Sequence, residues 1–283
     1  MRKYFVMLIA VALLVGQAAA QSKRIAVTFD ELPVSPTFVP ANGEELTKEI
    51  LGALKEFKIK ATGFVIGEQL TTSADLIGQW LNGGHTLGTM TWSNQDFHDI
   101  GVGEFMRQVR AAQDALEPIL DQFGQKSRYF RYPFLHYGAT MSDRAKAGEL
   151  LASANTTIAH VTVKVDDFLY NLKLEQLGPH PDTTRLDQLL VEYTTHVIDE
   201  LHRQEELALL VAGRPVIHIL DLRANRLNAM FCWNLFDVIK SEGYKFVTLP
   251  EALADPAYST TEKYTGTKGV SFLEMIAMGG KRK

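Results

Sequence analysis

Hydrophobic positions along the chain follow two different rhythms. The runs Ile25-Ala-Val-Thr-Phe29 and Ala61-Thr-Gly-Phe-Val-Ile66 are short and almost wholly apolar, as buried strands are. Between them Asn42-Gly-Glu-Glu45 reads as a capped helix start, and Leu46, Ile50, Leu54 and Phe57 follow at helical spacing. Ser73 opens a second helix with Leu76, Ile77, Trp80 and Leu81 on one face, stopped by Gly83-Gly84. A strand and turn over 85–91 precede a long amphipathic helix marked by Phe105, Val109, Ala112, Leu116, Ile119, Leu120 and Phe123 and ended by Gly124. Further strand-like segments lie at 129–132, 158–163, 216–222 and 245–249, with a helix over 227–241. This alternation predicts an α/β fold in which a parallel sheet is joined by helical crossovers.

Three segments depart from that rhythm. Arg2 and Lys3, an apolar run from Tyr4 to Val15 and the small residues Ala18-Ala19-Ala20 have the layout of a secretory signal peptide, and the run is too short to span a bilayer. Cleavage near Ala20 and a secreted or periplasmic location are expected. The stretch between Asp167 and Leu220 contains an amphipathic helix over about 185–210, opened by a Thr184-x-x-Asp187 box, and reads as an insertion near the mouth of the fold. The tail from Thr260 is polar, with a basic end. The expected organisation is therefore a signal peptide over 1–20, one domain over 21–258 with a helical insertion at about 171–213, and an appendage over 259–283. The single cysteine, Cys232, lies in an apolar stretch and reads as a buried thiol, so core packing must hold the domain together. With a net charge of −4, nothing in the composition favours a nucleic-acid partner. No apolar run after the leader is long enough for a membrane span.

Five separated stretches carry candidate chemistry: Thr28-Phe-Asp30-Glu31; Gly84-His-Thr-Leu-Gly-Thr-Met90-Thr-Trp92-Ser-Asn94; Tyr129-Phe-Arg131-Tyr-Pro133-Phe134; Val163-Lys-Val-Asp166-Asp167-Phe168; and Val216-Ile-His-Ile-Leu-Asp221-Leu-Arg223. Their order and framing residues resemble those of the polysaccharide deacetylase (NodB-homology) family, metal-dependent hydrolases that remove acetyl groups from N-acetylated sugars. The resemblance implies a distorted, incomplete (β/α) barrel, with the chemistry where strands end and loops begin. It implies Asp30 as catalytic base, Arg131 and Asp167 as a brace beside it, and Arg223 at the position of the acid histidine. Glu31, Met90 and Asn94 fall at the three metal-ligand positions. Pro133, Phe134, Phe168, Asp221 and Trp92 are the expected substrate contacts.

Amide hydrolysis at neutral pH needs an activated water, an acid for the leaving amine and a stabiliser for the oxyanion. The family meets these needs with a divalent metal such as zinc, held by two imidazoles and a carboxylate. A Met90 thioether and an Asn94 amide are poor replacements for imidazole, and Arg223 cannot release a proton near neutral pH. Three readings follow. The first is a glycan-binding protein with a decayed metal site, in which Arg223 supplies the missing cation to Asp30 or Glu31. The second is a hydrolase that uses Glu31, Asn94 and Asp221 to hold a harder ion such as magnesium, manganese or calcium, with esters favoured over amides. The third is a partner-binding domain that uses the helix over 185–210. The glycan would be chitin-like, peptidoglycan or an acetylated hemicellulose. Of the remaining histidines, His85 reads as core, His98 lies off the ligand positions, His136 follows the third stretch in a loop, and His196 and His202 are not spaced to share a metal.

Overall fold

The computed structural model describes residues 23–36, 42–126, 128–178 and 180–279. The expected signal peptide lies outside the described residues. At the centre is β1 (Arg24–Leu32), whose alternate side chains part into two cores. Ile25, Val27 and Phe29 pack outward with α1 (Gly43–Glu56), α2 (Leu70–Asn82) and α7 (Arg226–Ser241). Ala26 joins the inner core, and Thr28 and Asp30 continue that inward row, both buried.

One edge of β1 pairs in parallel with β7 (His218–Arg223), in register from Ile25 opposite His218 to Asp30 opposite Arg223. Its other edge is shared: β8 (Lys245–Val247) pairs at Arg24 to Ala26, and β2 (Thr62–Val65) takes over from Thr28. Beyond β2 follow β3 (Thr86–Thr89), β4 (Tyr129–Phe130) and β5 (Thr157–Ile158), while β6 (Val163–Lys164) flanks β7. All the pairings are parallel, and among the described residues none joins β5 to β6. The result is the distorted (β/α) barrel that the sequence implies, left open on one side.

Local signals in the sequence place most helices. Asn42 accepts the Glu45 N–H at 3.4 Å and starts α1. Ser73, read as a start, is a kink inside α2 with non-helical φ −140° and ψ 29°. α3 (Val102–Asp121) buries Phe105, Val109, Ala112, Leu116 and Leu120, the stripe expected of it. Two helices carry no such stripe: α4 (Met141–Ser153) buries only Ala147 and Leu151, and α5 (Asp167–Gln176) buries Asp167, Asn171 and Leu174. Their periodicity is too thin to show in the sequence.

The region expected as an insertion is an integral crossover. α6 (Thr183–Ala212) links β6 to β7 and buries Leu189, Tyr193, Val197, Leu201 and Ala208. Its cap is Asp182, which accepts the N–H groups of Thr184 at 2.7 Å and Arg185 at 3.3 Å, and not the Thr184 box. The tail also belongs to the domain. After α8 (Leu249–Leu253), the chain returns as α9 (Phe272–Gly279) with Phe272, Leu273 and Met275 buried. The Phe272 ring stacks 4.0 Å from His160, and its N–H reaches the Val161 carbonyl at 2.7 Å. Cys232 is fully buried, as expected.

Phe272→Ala is expected to lower the free energy of unfolding by about 3–5 kcal/mol, the usual cost of emptying a buried phenylalanine site. Urea denaturation of the full-length protein checks this, since a loosely attached tail would leave the midpoint unchanged.

Candidate functional site

A cleft of about 470 Å³ opens at the ends of the strands, lined by residues that include Asp30, Glu31, Met90, Asp96, Phe134, His136, Phe168, Asp221 and Arg223. Strand pairing explains the grouping. Thr28 lies opposite Asp221, and Asp30 lies opposite Arg223, so two residues from each strand project into the same space.

Arg223 organises the floor. Its Nη1 lies 2.7 Å from Asp167 Oδ1, its backbone N–H donates to Asp167 Oδ2 at 2.7 Å, and its Nε lies 3.5 Å from Glu31 Oε1. Burial opposes the charge on this guanidinium, but the carboxylates of Asp167, Asp221 and Glu31 outweigh that and hold it firmly protonated. Its face lies 5.3 Å from the centre of the Phe168 ring. Asp167 is itself fully buried and accepts Asn228 Nδ2 at 2.5 Å, while Tyr193 donates to Asn228 Oδ1 at 2.7 Å. The site is thereby tied to α6 and α7.

The expected Arg131 to Asp167 brace does not form. Arg131, at the end of β4, is fully buried within the barrel; its Nη2 donates to Thr28 Oγ1 at 2.9 Å, and its guanidinium stands 4.6 Å from the Phe64 ring centre. Its carboxylate neighbour is Asp30, with Nε 3.6 Å from Oδ1. Asp167 turns instead to Arg223, because it starts α5 on the far side of β7, where the Arg223 N–H already points.

Asp30 is held well above the usual carboxylate range by burial, against the pull of Arg131, and with the nearby Asp221 carboxyl adding to the rise. Asp221 is raised by the same burial, against the pull of Arg131 and Arg223. Two carboxyls buried near each other do not both ionise cheaply.

The positions that the family uses for metal do not fit an ion. Glu31 accepts the Ser35 hydroxyl, the Asn94 Nδ2 amide at 3.4 Å and the Arg223 ion pair, so its oxygens are occupied. Met90 contributes a buried thioether and Asn94 a neutral amide. Two expected substrate contacts lie elsewhere. Trp92 packs its ring against Gly67, where an added Cβ would stand 2.8 Å from Trp92 Cε3, and does not line the cleft. Pro133 is buried and begins the turn that carries Phe134. Phe134 and Phe168 are 47% and 42% exposed, large enough fractions to present ring faces to a ligand. Gly269 of the tail also lines the cleft, and a side chain there would collide with the Phe134 carbonyl oxygen.

Sequence reasoning undervalued Asp96, His98 and His136. His136 Nδ1 lies 2.7 Å from Asp96 Oδ2, the His98 N–H donates to Asp96 Oδ1 at 2.8 Å, and the two imidazoles stack 4.1 Å apart. The signal available was Asp96-x-His98, two residues past the family's second histidine position, together with His136 just after the third stretch. His85, by contrast, is a core histidine, accepting the Ala61 N–H at 3.2 Å with its pKa lowered to about 4 by burial and then by Lys60. His196 and His202 go to separate partners, the Val165 carbonyl and Glu242.

Comparison with known proteins agrees with this architecture. Residues 17–151 match the polysaccharide deacetylase family. A peptidoglycan-N-acetylglucosamine deacetylase of Listeria monocytogenes, PgdA, is 30% identical over 116 residues, which are 41% of this chain and 22% of that protein. A chitin deacetylase of Colletotrichum lindemuthianum is 26% identical over 244 residues, 83% of this chain and 81% of that protein. The fold is shared with a CE4 family pseudoenzyme from Bacillus anthracis, at a TM-score of 0.58 and 16% identity, covering 83% of this chain and 66% of that one. The chain spans about a third or less of the curated relatives it matches first, 35% and 22% of their lengths.

Arg223→Ala is expected to destabilise the fold by about 3–5 kcal/mol, because it strands the buried Asp167 carboxylate; chemical denaturation measures this. A pH series tests the Asp30 and Asp221 pair. Because its carboxyls are raised, the folded state holds more protons than the unfolded state above the ordinary carboxylate value. Stability from this source is therefore complete at low pH and falls as pH rises. Asp221→Asn should flatten that fall in urea midpoints measured from pH 5 to pH 8.

Proposed function

We propose that this protein is a deacetylase-like glycan binder in which a tethered guanidinium stands where the family places a divalent metal. One observation carries the reading. Arg223 sits between Glu31 and Asp167, paired to both, and so satisfies the carboxylate that would otherwise ligate the ion. A hydrolytic ion at the oxygen-rich floor of Glu31, Asn94 and Asp221 would have to enter beside this fixed positive charge, which disfavours it.

The remaining groups are badly placed for amide hydrolysis. A general base must be ionised at the working pH, and burial together with the nearby Asp221 opposes ionisation of Asp30. The acid position is held by an arginine, which does not give up its proton.

What persists is a shaped cleft. Seven non-glycine residues among those described have positive φ; Glu31, Phe134, Leu135 and Asp166 line the cleft, and Asn94 bonds to Glu31. Each such conformation costs about 1–3 kcal/mol and survives only where its surroundings over-determine it. A cleft bordered by Phe134 and Phe168, with polar groups at its floor, suits an acetylated sugar, whose ring presents one apolar face. The relatives named for peptidoglycan and for chitin point to an N-acetylglucosamine-containing chain as the ligand class. Such ligands lie outside the cytoplasm, consistent with the leader expected over 1–20. No described helix is long and apolar enough to cross a membrane.

Calorimetric titration with chitooligosaccharides and peptidoglycan fragments tests the proposal. Binding should persist in EDTA, and Phe168→Ala should weaken it about tenfold, or about 1.4 kcal/mol. Acetate release that EDTA abolishes and Asp30→Asn removes would sink the reading and establish an enzyme.

A further inference from the structure

The lip of the cleft carries a second, independent constellation. Asp96 and His98 come from the loop after β3, and His136 comes from the loop after β4. One ligand atom from each of the three lies within 4.8 Å of the other two. We infer that Asp96, His98 and His136 form a binding site for a borderline divalent cation of the zinc and cobalt class, distinct from the Glu31, Met90 and Asn94 positions.

The donor chemistry supports this assignment. Two imidazoles and one carboxylate are a preferred set for zinc, with ligand bonds of about 2.0–2.2 Å, so neighbouring donors on a tetrahedral ion stand roughly 3.4 Å apart. The present spacings are compatible with that value: His136 Nδ1 and Asp96 Oδ2, at 2.7 Å, would part slightly, and the other donors, all within 4.8 Å, would close by at most about 1.4 Å. Asp96 is already anchored through Oδ1 by the backbone N–H of His98, which orients its carboxylate. All three residues are half-buried, so they are reachable by an ion yet backed by protein.

The cleft's charge supplies the second argument. Asp30, Glu31, Asp96, Asp99, Asp166 and Asp221 line it, against Lys164 and Arg223. Six carboxyl groups outnumber these two cations and the buried Arg131 beside Asp30, and so draw positive ions to the opening. Arg223 neutralises the deep part, and the lip retains the unbalanced carboxylates. Three protein ligands leave a tetrahedral ion one place for water or a ligand oxygen. The Asp96 and His136 hydrogen bond is the competing role, a purely structural clasp without metal.

Untagged full-length protein, stripped with EDTA, would be titrated with cobalt and followed by its visible ligand-field absorption, then displaced by zinc. One equivalent should bind, and the cobalt complex should show two hyperfine-shifted imidazole N–H protons. His98→Gln and His136→Gln should each weaken binding at least tenfold with an unchanged circular dichroism spectrum, and Asn94→Ala should leave it unchanged. The inference is overturned by no stoichiometric binding in the parent protein, by a complex lacking imidazole protons, or by affinity that survives both glutamine variants and falls in Asn94→Ala. Because the readout is metal affinity alone, its failure would leave the glycan reading standing, and failure of glycan binding would leave this site standing.

Discussion

The buried cation at Arg223 is the constraint on which the rest of this site depends. Asp167 is fully removed from solvent and Glu31 nearly so, and Asp30 and Asp221 stand close by. Four carboxyl groups gathered at the end of β1 and β7 cannot coexist without positive charge, since each like neighbour raises the cost of ionising the next. In the family the charge comes from a bound ion. Here it is built into β7, and it is joined to the fold through Asp167, Asn228 and Tyr193. The same bonds that occupy the cation position therefore also set the packing of α5, α6 and α7 around it.

A tethered cation changes what the site can do. A metal ion with an open position offers a Lewis acid and an activated water, whereas a guanidinium offers only directed hydrogen bonds and fixed charge. Burial and the nearby Asp221 both oppose ionisation of Asp30, so the cleft floor disfavours a strong base. Arg131 keeps its place beside Asp30 but is sealed below it, with no exposed surface. On the proposed reading, such a site serves recognition rather than bond breaking. The aromatic rims at Phe134 and Phe168, which do not depend on metal, retain their use.

The sequence made the sheet legible because its strands are short apolar runs bounded by strong stop signals, as at Gly83-Gly84. It revealed α1 and α3 through dense apolar stripes but hid α4 and α5, whose buried faces are two or three residues wide. At the site, the replaced residues could be read from their frame, and charge narrowed the partner of Arg223 to Asp30 or Glu31, of which the structure shows Glu31. The partner of Asp167 could not be read, because two arginines of equal charge compete for it and only the position of Asp167 at the start of α5 decides between them. Trp92 misled for a related reason: its place inside the motif fixes its number but not the direction of its ring, which goes to Gly67. Asp96, His98 and His136 become a group only once two loops are folded against each other.

These two sets of residues answer one electrostatic problem at different depths. At the floor, burial makes an unpaired carboxylate costly, so the balancing charge must be permanent and positioned by covalent structure. At the lip, water still screens Asp96 and Asp99, and an exchangeable cation is sufficient. With Met90 and Asn94 at the floor and His98 and His136 at the lip, the proposed cation site lies one loop outward from the positions that the family uses, at the rim of the cleft rather than at its floor.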